Sequence, residues 1–177
     1  MRYGWVRVAL VAAVLATAAC NRSEPALSSD AGNAEALAAA TAFMARNAKA
    51  EGVQSLPSGV QYKIVQSGPA GGVNPDRNDL VRVDYEGSLT DGTVFDSSFR
   101  RGVPAVFRLD EVVPGWGDVI SHMKPGDEWI AYIPPDRGYG EQDKGDIPPN
   151  SALVFRIKLL DVAPEPGDAP APGTAMG

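Results

Sequence analysis

The sequence predicts an α+β domain in which a short helix packs against one face of an antiparallel sheet, with an extra helix before it. Five or so segments between residues 53 and 162 alternate apolar and polar side chains, which is the period of a half-buried strand. Turns rich in glycine and proline separate these segments. Only one short stretch among them, residues 115–123, is typical of a helix. Such a set of elements favours a sheet with a helix against one face.

Residues 1–19 are typical of a secretory signal. Arg2 and Arg7 supply a positive start, Val8–Ala16 is apolar, and small residues lead to Cys20, the only cysteine of the chain. The apolar run is well short of the roughly 20 residues that a membrane-spanning helix needs. Because the cleavage region coincides with the cysteine, the segment resembles a bacterial lipoprotein signal in which Cys20 becomes the lipidated first residue. The alternative is ordinary cleavage that leaves Cys20 unmodified.

Residues 20–52 are predicted to form a lipidated tether and a short amphipathic helix. The segment Asn21–Gly32 is small and polar, which is typical of a flexible linker, and an asparagine directly after the cysteine favours the outer membrane as the anchoring site. Asn33 is predicted to cap an alanine-rich helix that runs to about Glu51 and ends at Gly52. The narrow apolar stripe fits packing on its own domain as well as dimerisation, and we predict a monomer.

Residues 53–162 are predicted to form the folded domain, and residues 163–177 a disordered, proline-rich tail. Two loops interrupt the domain, at Pro69–Arg77 and at Asp136–Asn150. A loop as long as the second is usually functional or disordered. The predicted elements are strands at 59–67, 80–89, 94–98 and 106–109, a helix at 115–123, and strands at 128–133 and 151–162.

The hairpin between Leu80 and Ser98 is the most informative segment. Its first strand alternates apolar with charged residues, and Asp91-Gly92 is a strong hairpin signal because glycine tolerates the positive φ that the reversal needs. Beyond the turn, the aromatic Phe95 is followed directly by the carboxylate of Asp96. Further apolar residues could converge with this pair on one cup, which suits a mostly apolar ligand with one or two hydrogen-bonding atoms. They are Val112, Val113, Trp116, Tyr139, Ile147 and Phe155.

The charge of the chain argues against nucleic-acid binding. The net charge is −6, the sequence pI is near 4.7, and no basic patch or stripe is visible. Removal of residues 1–19 takes away two arginines and no acidic residue, so the net charge of the mature chain goes from −6 to −8. We therefore predict no nucleic-acid partner and contact with the membrane only through a lipid anchor.

Several chemistries lack the residues that they need. With His122 as the only histidine and Cys20 as the only cysteine, a catalytic triad or a zinc site has too few groups, and we predict neither a metal nor a cofactor. We predict a surface position for His122. A glycosidase-like carboxylate pair stays open, since four acidic residues lie close together on the hairpin, although its outward face explains most of them better. These acids are Asp84, Glu86, Asp91 and Asp96.

Six motifs together resemble the FKBP-type peptidyl-prolyl cis-trans isomerase family across residues 53–162. They are Tyr85-Glu86-Gly87, Asp91 to Ser98, Val112 to Trp116, Gly138-Tyr139-Gly140, Ile147 to Ser151, and Leu153-Val154-Phe155. The resemblance implies a five- or six-stranded antiparallel sheet wrapped around one short helix. The lead-in Leu56–Tyr62 looks like that of secreted bacterial members of the macrophage-infectivity-potentiator type, which carry a long dimerising helical domain. This chain has room only for the last short helix of that domain.

The resemblance implies a pocket, residue by residue. Trp116 matches its floor, the amide of Val113 and the hydroxyl of Tyr139 match hydrogen-bond donors, and Asp96 matches a carboxylate beside the wall. The residues implied to be catalytic are Tyr85, Phe95, Asp96, Trp116, Tyr139 and Phe155, and those implied to bind substrate are Arg101, Phe107, Val112, Val113 and Ile147.

Some positions depart from the family's pattern. Ala105 stands where the family has an aromatic, while Phe107 keeps a second one, and Asp146 stands where an apolar residue is common. We therefore expect a wider pocket with a more acidic rim. Arg101 matches an arginine that pairs with the pocket carboxylate, and its neighbour Arg100 could compete for that role.

The resemblance implies an enzyme that accelerates X-Pro bond rotation in extracytoplasmic proteins by noncovalent binding of the twisted amide. Its implied partners are unfolded or partly folded proteins that contain proline, and the macrolide inhibitors of the family. One alternative is a noncatalytic peptide-binding or chaperone module of the same fold, which the changes at Ala105 and Asp146 motivate. A further alternative is a purely structural envelope lipoprotein.

Overall fold

The computed structural model describes residues 27–164 of the chain. The predictions for the signal residues 1–19, for Cys20 and for residues 165–177 of the tail lie outside this range. The described helices are α1 (Leu27–Asn47), α2 (Ser98–Arg101) and α3 (Pro114–Ile120). The strands are β1 (Val53–Ser55), β2 (Gln61–Gln66), β3 (Leu80–Leu89), β4 (Val94–Ser97), β5 (Ala105–Arg108), β6 (Glu128–Ile133) and β7 (Leu153–Ala163), and a 3₁₀ turn spans Pro135–Arg137.

The strands form one antiparallel sheet in the order β1-β2-β6-β7-β3-β4, and β5 pairs with β3 beside β4. The α+β prediction is confirmed. The sheet has seven strands rather than five or six because β1 adds a three-residue edge, which is too short to show a clear alternation. The strand β3 is central, since β7 pairs with it along its whole length and β4 and β5 share its other edge.

Alternation along the strands places the core between the sheet and α3. Every second residue from Val81 to Gly87 of β3 is buried, and so is every second residue from Leu153 to Leu159 of β7. Pro114 occupies the first turn of α3, where its missing N–H removes no helical bond. A Cβ atom at Gly115 would lie 2.5 Å from Cγ2 of Ile133, so only glycine allows α3 to pack this closely on β6. This packing fixes the helix that carries Trp116.

The predicted hairpin turn is confirmed at Gly92, which has a φ of +89°. The backbone N–H of Leu89 donates to the carbonyl of Thr93 at 2.9 Å, and the N–H of Thr93 donates to the side chain of Asp91 at 2.8 Å. The side chain of Asp91 therefore caps its own turn.

The boundaries of α1 differ from the prediction. The helix begins at Leu27 rather than at Asn33, so residues 27–32 belong to the helix and not to a tether, and Asn33 is not the cap. Asp30 lies in the first turn, where an acidic side chain interacts favourably with the helix dipole, and the single Gly32 costs the helix only about 1 kcal/mol. The helix ends at Asn47, and a turn carries the chain to Gly52, which has a φ of +76°.

Helix α1 packs on its own domain. Ala40 and Met44 are buried against Ala152, apart from the main core. The side chain of Gln61 in β2 accepts a hydrogen bond from the amide of Asn47 at 2.8 Å and donates to the carbonyl of Met44 at 2.9 Å. Within residues 27–164, no helix combines the length and the apolarity that crossing a membrane requires.

The long loop between Asp136 and Asn150 is ordered by backbone hydrogen bonds. Gly140 N–H donates to the carbonyl of Pro135 at 2.8 Å, and Asn150 N–H donates to the carbonyl of Gly140 at 2.7 Å. Asn150 has a φ of +59°, a left-handed conformation that asparagine tolerates better than most residues. Its side chain also donates to the carbonyl of Asn33 at 3.2 Å and so ties the loop to α1.

Candidate active site

A cavity of about 620 Å³ opens at one end of the sheet, a size that is typical of a small-ligand site. It brings together every residue that was predicted to be catalytic and all but one of those predicted to bind substrate. The exception, Arg101, is not part of the lining. The strand wall is formed by Tyr85, Phe95, Asp96, Phe107 and Phe155, the loop wall by Glu111, Val112, Val113, Tyr139, Lys144 and Ile147, and the floor by Trp116.

The floor is held by three aromatic neighbours. The ring of Trp116 lies 5.2 Å from the rings of Tyr85 and Phe155 and 5.4 Å from that of Phe107, each time in an edge-to-face arrangement. This geometry is the favoured one for aromatic pairs, and each pair is worth about 0.5–1.5 kcal/mol beyond its burial. The indole N–H is buried without a hydrogen-bond partner among the described residues. The floor is therefore rigid, aromatic and almost free of polar contacts.

Gly87 makes the strand wall possible, although no role was predicted for it. A Cβ atom at this position of β3 would lie 2.5 Å from Cε2 of Phe95 and 2.6 Å from Cε1 of Phe155. The two rings fill the space that the absent side chain leaves, with centroids 5.6 Å apart. A glycine within an alternating strand commonly marks such a close approach, and this was the signal that could have identified it.

A hydrogen-bonded triad of side chains braces the strand wall. The hydroxyl of Tyr85 donates to Oδ2 of Asp96, and Arg101 donates to Oδ1 of the same carboxylate and, at 3.1 Å, to the Tyr85 hydroxyl. Arg100, the competing candidate, lies 3.7 Å from Glu86 instead. The structure therefore places Arg101 and not Arg100 beside the pocket carboxylate.

The triad shifts the pKa of each member. Burial, and then the hydrogen bond to Asp96, raises the pKa of the Tyr85 hydroxyl. Burial alone would raise the pKa of Asp96, but hydrogen bonds from Tyr85 and Arg101 outweigh it and hold the pKa below that of an ordinary aspartate. Hydrogen bonds to Tyr85 and Asp96 raise the pKa of the Arg101 guanidinium. Near neutral pH the triad therefore consists of a neutral phenol, a carboxylate and a guanidinium.

The serines after Asp96 explain how Arg101 reaches it. The hydroxyl of Ser97 accepts a hydrogen bond from the N–H of Arg100 and caps α2, and Gly102 ends this single turn with a φ of +69°. The fully buried Ser98 accepts from the backbone of Tyr85 at 2.9 Å. The single-turn helix thus brings the side chain of Arg101 back over the strand wall.

The loop wall offers two hydrogen-bond donors. Neither the backbone N–H of Val113 nor the hydroxyl of Tyr139 has a hydrogen-bond partner within the described part of the chain. The carbonyl of Val113 accepts from the N–H of Trp116 at 2.9 Å, which fixes the residue at the start of α3. Two donors without partners in the described fold therefore lie in the lining of an otherwise mostly apolar cup.

An ion pair that the sequence did not predict joins the loop wall to the floor helix. Arg137, two residues before Tyr139, donates from Nε to Oδ2 of Asp118 at 2.9 Å and makes a second bond from Nη2. The Asp118 side chain is only 15% exposed, and Arg77 lies 3.5 Å from its other oxygen. Since Asp118 belongs to α3, this pair fixes the distance between the loop of Tyr139 and the helix of Trp116.

The residues that set the charge of the cavity rim differ from those expected. Ala105 pairs with Val83 and Asp146 is exposed, and neither residue lines the cavity, so Asp146 adds no acidic group to the lining. The rim charges are Glu111 and Lys144, which sequence reasoning missed.

The glycosidase-like carboxylate pair that the hairpin acids left open finds no support in the geometry. Asp96 alone among them lines the cavity, while Asp84 accepts a hydrogen bond from Ser98 at 3.0 Å and Glu86 pairs with Arg100. His122 is exposed, as predicted. Within residues 27–164, no cluster of histidine, cysteine and acidic side chains is placed to hold a metal ion.

Comparison with known proteins decides the family. A family profile described as FKBP-type peptidyl-prolyl cis-trans isomerase matches residues 71–160, and a second, described as the domain amino terminal to it, matches residues 11–64. The chain belongs to the FKBP-type peptidyl-prolyl cis-trans isomerase family. The predicted resemblance is thereby confirmed.

Three relatives illustrate the similarity. The peptidyl-prolyl cis-trans isomerase Mip of Coxiella burnetii is 48% identical over 122 residues, which cover 68% of this chain and 52% of the relative. The outer membrane protein MIP of Legionella longbeachae is 43% identical over 122 residues, with the same two shares. The crystal structure of FkpA from Escherichia coli superposes with a TM-score of 0.73 at 39% identity, over 77% of this chain and 63% of that one. The chain spans about half the length of the curated relatives it matches.

Proposed function

We propose that this chain is a peptidyl-prolyl cis-trans isomerase that binds the twisted X-Pro amide in the cavity. The observation that carries the proposal is the combination of an apolar aromatic cup with two donors, Val113 N–H and Tyr139 O–H, that have no partner in the described fold. The cup is wide enough for a prolyl ring, and the donors lie where the carbonyls of the flanking peptide would come.

The chemistry of the reaction fits such a site. Rotation about an X-Pro bond is slow because amide resonance is lost at the midpoint, at a barrier of about 18–20 kcal/mol. The twisted amide has a less polar carbonyl than the planar one, so an apolar cavity favours it relative to water. A site that binds the twisted form more tightly than the planar form lowers the barrier without a nucleophile or a proton transfer.

Each group in the cavity has a place in this scheme. Trp116, with Phe95 and Phe155, encloses the prolyl ring, and the donors of the loop wall hold the carbonyls of the flanking peptide before and during the rotation. Asp96 orients Tyr85 and Arg101 through the bonds of the triad. No proton moves in the reaction, so the triad acts as a brace for the wall and not as an acid or a base.

The test is the cis-to-trans conversion of a proline tetrapeptide with and without the protein. The spontaneous reaction takes tens to hundreds of seconds at 25 °C, so acceleration is measured directly. A rate equal to the spontaneous one would contradict the proposal. Macrolide inhibitors of the family should bind in the same cavity and change its tryptophan fluorescence.

We further propose that the protein works in the bacterial cell envelope, on the periplasmic side, anchored by Cys20. The support is the signal-like segment 1–19 that ends at the only cysteine, together with a relative whose name is outer membrane protein MIP. Mass spectrometry of the mature N-terminus tests this, since lipidated Cys20 should be its first residue. Cys20→Ser should release the protein from the outer-membrane fraction, and an unchanged distribution would overturn the anchor.

The proposed clients are unfolded or partly folded proteins that contain proline, and the working unit is a monomer. Residues 53–163 form the isomerase domain in this proposal, since β7 runs to Ala163, and residues 20–52 form the tether and helix. The monomer is supported by the contacts of α1 with its own domain through Ala40 and Met44. Sedimentation equilibrium of the mature chain tests it, and a dimer at micromolar concentration would contradict it.

A further inference from the structure

The cavity has three charged side chains in its lining, and they differ in their partners. Asp96 is paired with Arg101, and Glu111 lies 3.7 Å from Nε of Arg108. Lys144 takes part in none of the salt bridges of the described part of the chain, so no carboxylate there lies within 4.0 Å of its ammonium group. The loop wall therefore presents one positive charge that the described fold leaves without an acidic partner.

The backbone around Lys144 is well defined. Its N–H donates to the carbonyl of the buried Ile147 at 3.1 Å, and the N–H of Gly145 donates to the side chain of Asp143 at 2.8 Å. The ammonium group lies 5.6 Å from the ring centroid of Tyr139, a distance at which a cation is attracted to an aromatic face. The positive charge of Lys144 therefore lies over the ring of Tyr139, whose hydroxyl is one of the two donors proposed to bind the substrate.

We propose that Lys144 makes the site selective for proline segments that carry a carboxylate side chain next to the X-Pro bond. The proposal rests on the isomerase function proposed above and specifies its substrate class. A glutamate or aspartate of the bound segment supplies the ion-pair partner that the described fold does not. Ion pairs of this exposed kind are modest in strength, and we expect a preference of about two- to fivefold in kcat/KM.

Three exposed acidic residues near Lys144 oppose its attraction for an acidic peptide. Glu141, Asp143 and Asp146 are exposed and lie outside the cavity lining. They weaken the attraction of an acidic peptide to this loop, but none of their carboxylates pairs with the ammonium group of Lys144 within 4.0 Å. A carboxylate in direct contact with the ammonium group of Lys144 interacts more strongly with it than with these acids. The preference should therefore depend on where the acid stands in the peptide.

The experiment uses the mature protein and one proline peptide. Glutamate, glutamine or lysine is placed in turn at the position directly before the proline and at the position directly after it. The expected result is a preference of about two- to fivefold for glutamate over the isosteric glutamine at one of these positions. In Lys144→Gln the ratio should fall to about one, and in Lys144→Glu the lysine peptide should become the better substrate.

The matched control is Lys63→Glu. It makes the same change in net charge as Lys144→Glu, on an exposed position of β2 outside the cavity lining, and it should keep both the activity and the preference. Equal kcat/KM for the three peptides in the active wild type, or a glutamate preference that survives in Lys144→Gln, would overturn the proposal. If no peptide is accelerated, the isomerase function fails instead. In that case the affinities of the same peptides, measured by tryptophan fluorescence, still decide whether Lys144 selects for an acidic side chain.

Discussion

The strand wall and the loop wall of the cavity are held in place by different interactions. The strand wall belongs to the core, because β3 pairs with β4, β5 and β7 and its rings pack on Trp116. The loop wall is held by a few backbone hydrogen bonds and by the pair of Arg137 with Asp118. Changes in the strand wall should therefore reduce stability and activity together, whereas changes in the loop wall should act mainly on substrate binding.

The largest expected effect comes from the floor, on which the strand wall packs. Trp116→Leu should lower the free energy of unfolding by about 2–4 kcal/mol, since it truncates a buried side chain and removes three edge-to-face contacts. Among molecules that remain folded, kcat/KM should fall by at least about tenfold because the twisted amide loses its floor. Urea unfolding and the tetrapeptide assay measure the two effects.

Trp129→Leu is the matched control for this change. Trp129 is 6% exposed against 4% for Trp116, and neither indole N–H has a partner in the described chain, but Trp129 stacks on Tyr62 and does not line the cavity. It should lower stability by a similar amount and leave kcat/KM per folded molecule nearly unchanged. An equal loss of activity in both variants would mean that general destabilisation, rather than the floor, explains the result.

A smaller change in the strand wall is Gly87→Ala. The new methyl group would overlap the rings of Phe95 and Phe155, and such overpacking typically costs about 1–3 kcal/mol. The displaced rings should also lower kcat/KM. Gly117→Ala in α3 is the control, because its Cβ atom would meet its nearest atom at 3.5 Å, an ordinary contact, and the helix gains from alanine. Similar unfolding midpoints and rates for both variants would show that the wall tolerates the extra methyl group.

The loop wall is tested by Arg137→Met, which removes both bonds to Asp118. The free energy of unfolding should fall by about 1–3 kcal/mol because a mostly buried carboxylate loses its main partner. The rise in KM should exceed the fall in kcat, since the donors of this wall hold the flanking peptide equally in the ground and transition states. In a double-mutant cycle, Asp118→Asn should add little to Arg137→Met.

Arg100→Met serves as the control for the loop wall. Arg100 and Glu86 have side chains that are 66% and 36% exposed, and exposed pairs contribute little to stability. Its unfolding curve and its KM should match those of the wild type. A fall in kcat without a change in KM in Arg137→Met would contradict the assignment of the loop wall to substrate binding.

The contrast between the strand wall and the loop wall also explains how much of the fold and of the site the sequence could predict. The alternation of β3, the turn at Gly92 and the aromatic motifs are local patterns, and the structure brings their side chains to one cavity. The start of α1 was placed six residues too late, at Asn33 rather than Leu27, because a plausible cap within a helical segment cannot be told from a true one without the packing.

The features that sequence reasoning missed depend on contacts between distant residues. Arg137 and Asp118 are 19 positions apart and meet only because α3 lies beside the 3₁₀ turn. Gly87 is explained by the rings of Phe95 and Phe155 on two other strands. None of these contacts leaves a periodic signal, and each needs the folded chain.

The smallest expected effect is the pH dependence, and it comes from Asp96 and Tyr85 in the triad of the strand wall. The folded-state pKa of Asp96 is lowered, so the stability that it contributes is present above its unfolded pKa of about 4 and is lost as the pH falls through the folded value. The folded-state pKa of Tyr85 is raised, so its contribution is present below about pH 10 and is lost as the pH rises further.

The kcat/KM for the tetrapeptide should therefore stay nearly constant between about pH 5 and 9, because no member of the triad changes its charge there. His122 is exposed and lies outside the cavity lining. Asp96→Asn should remove the loss of stability that Asp96 causes on the acid side, since the amide is not protonated in that range. A bell-shaped activity profile with one limb near neutral pH would require a group that gains or loses a proton during the reaction. The proposal that the triad only braces the strand wall would then be wrong.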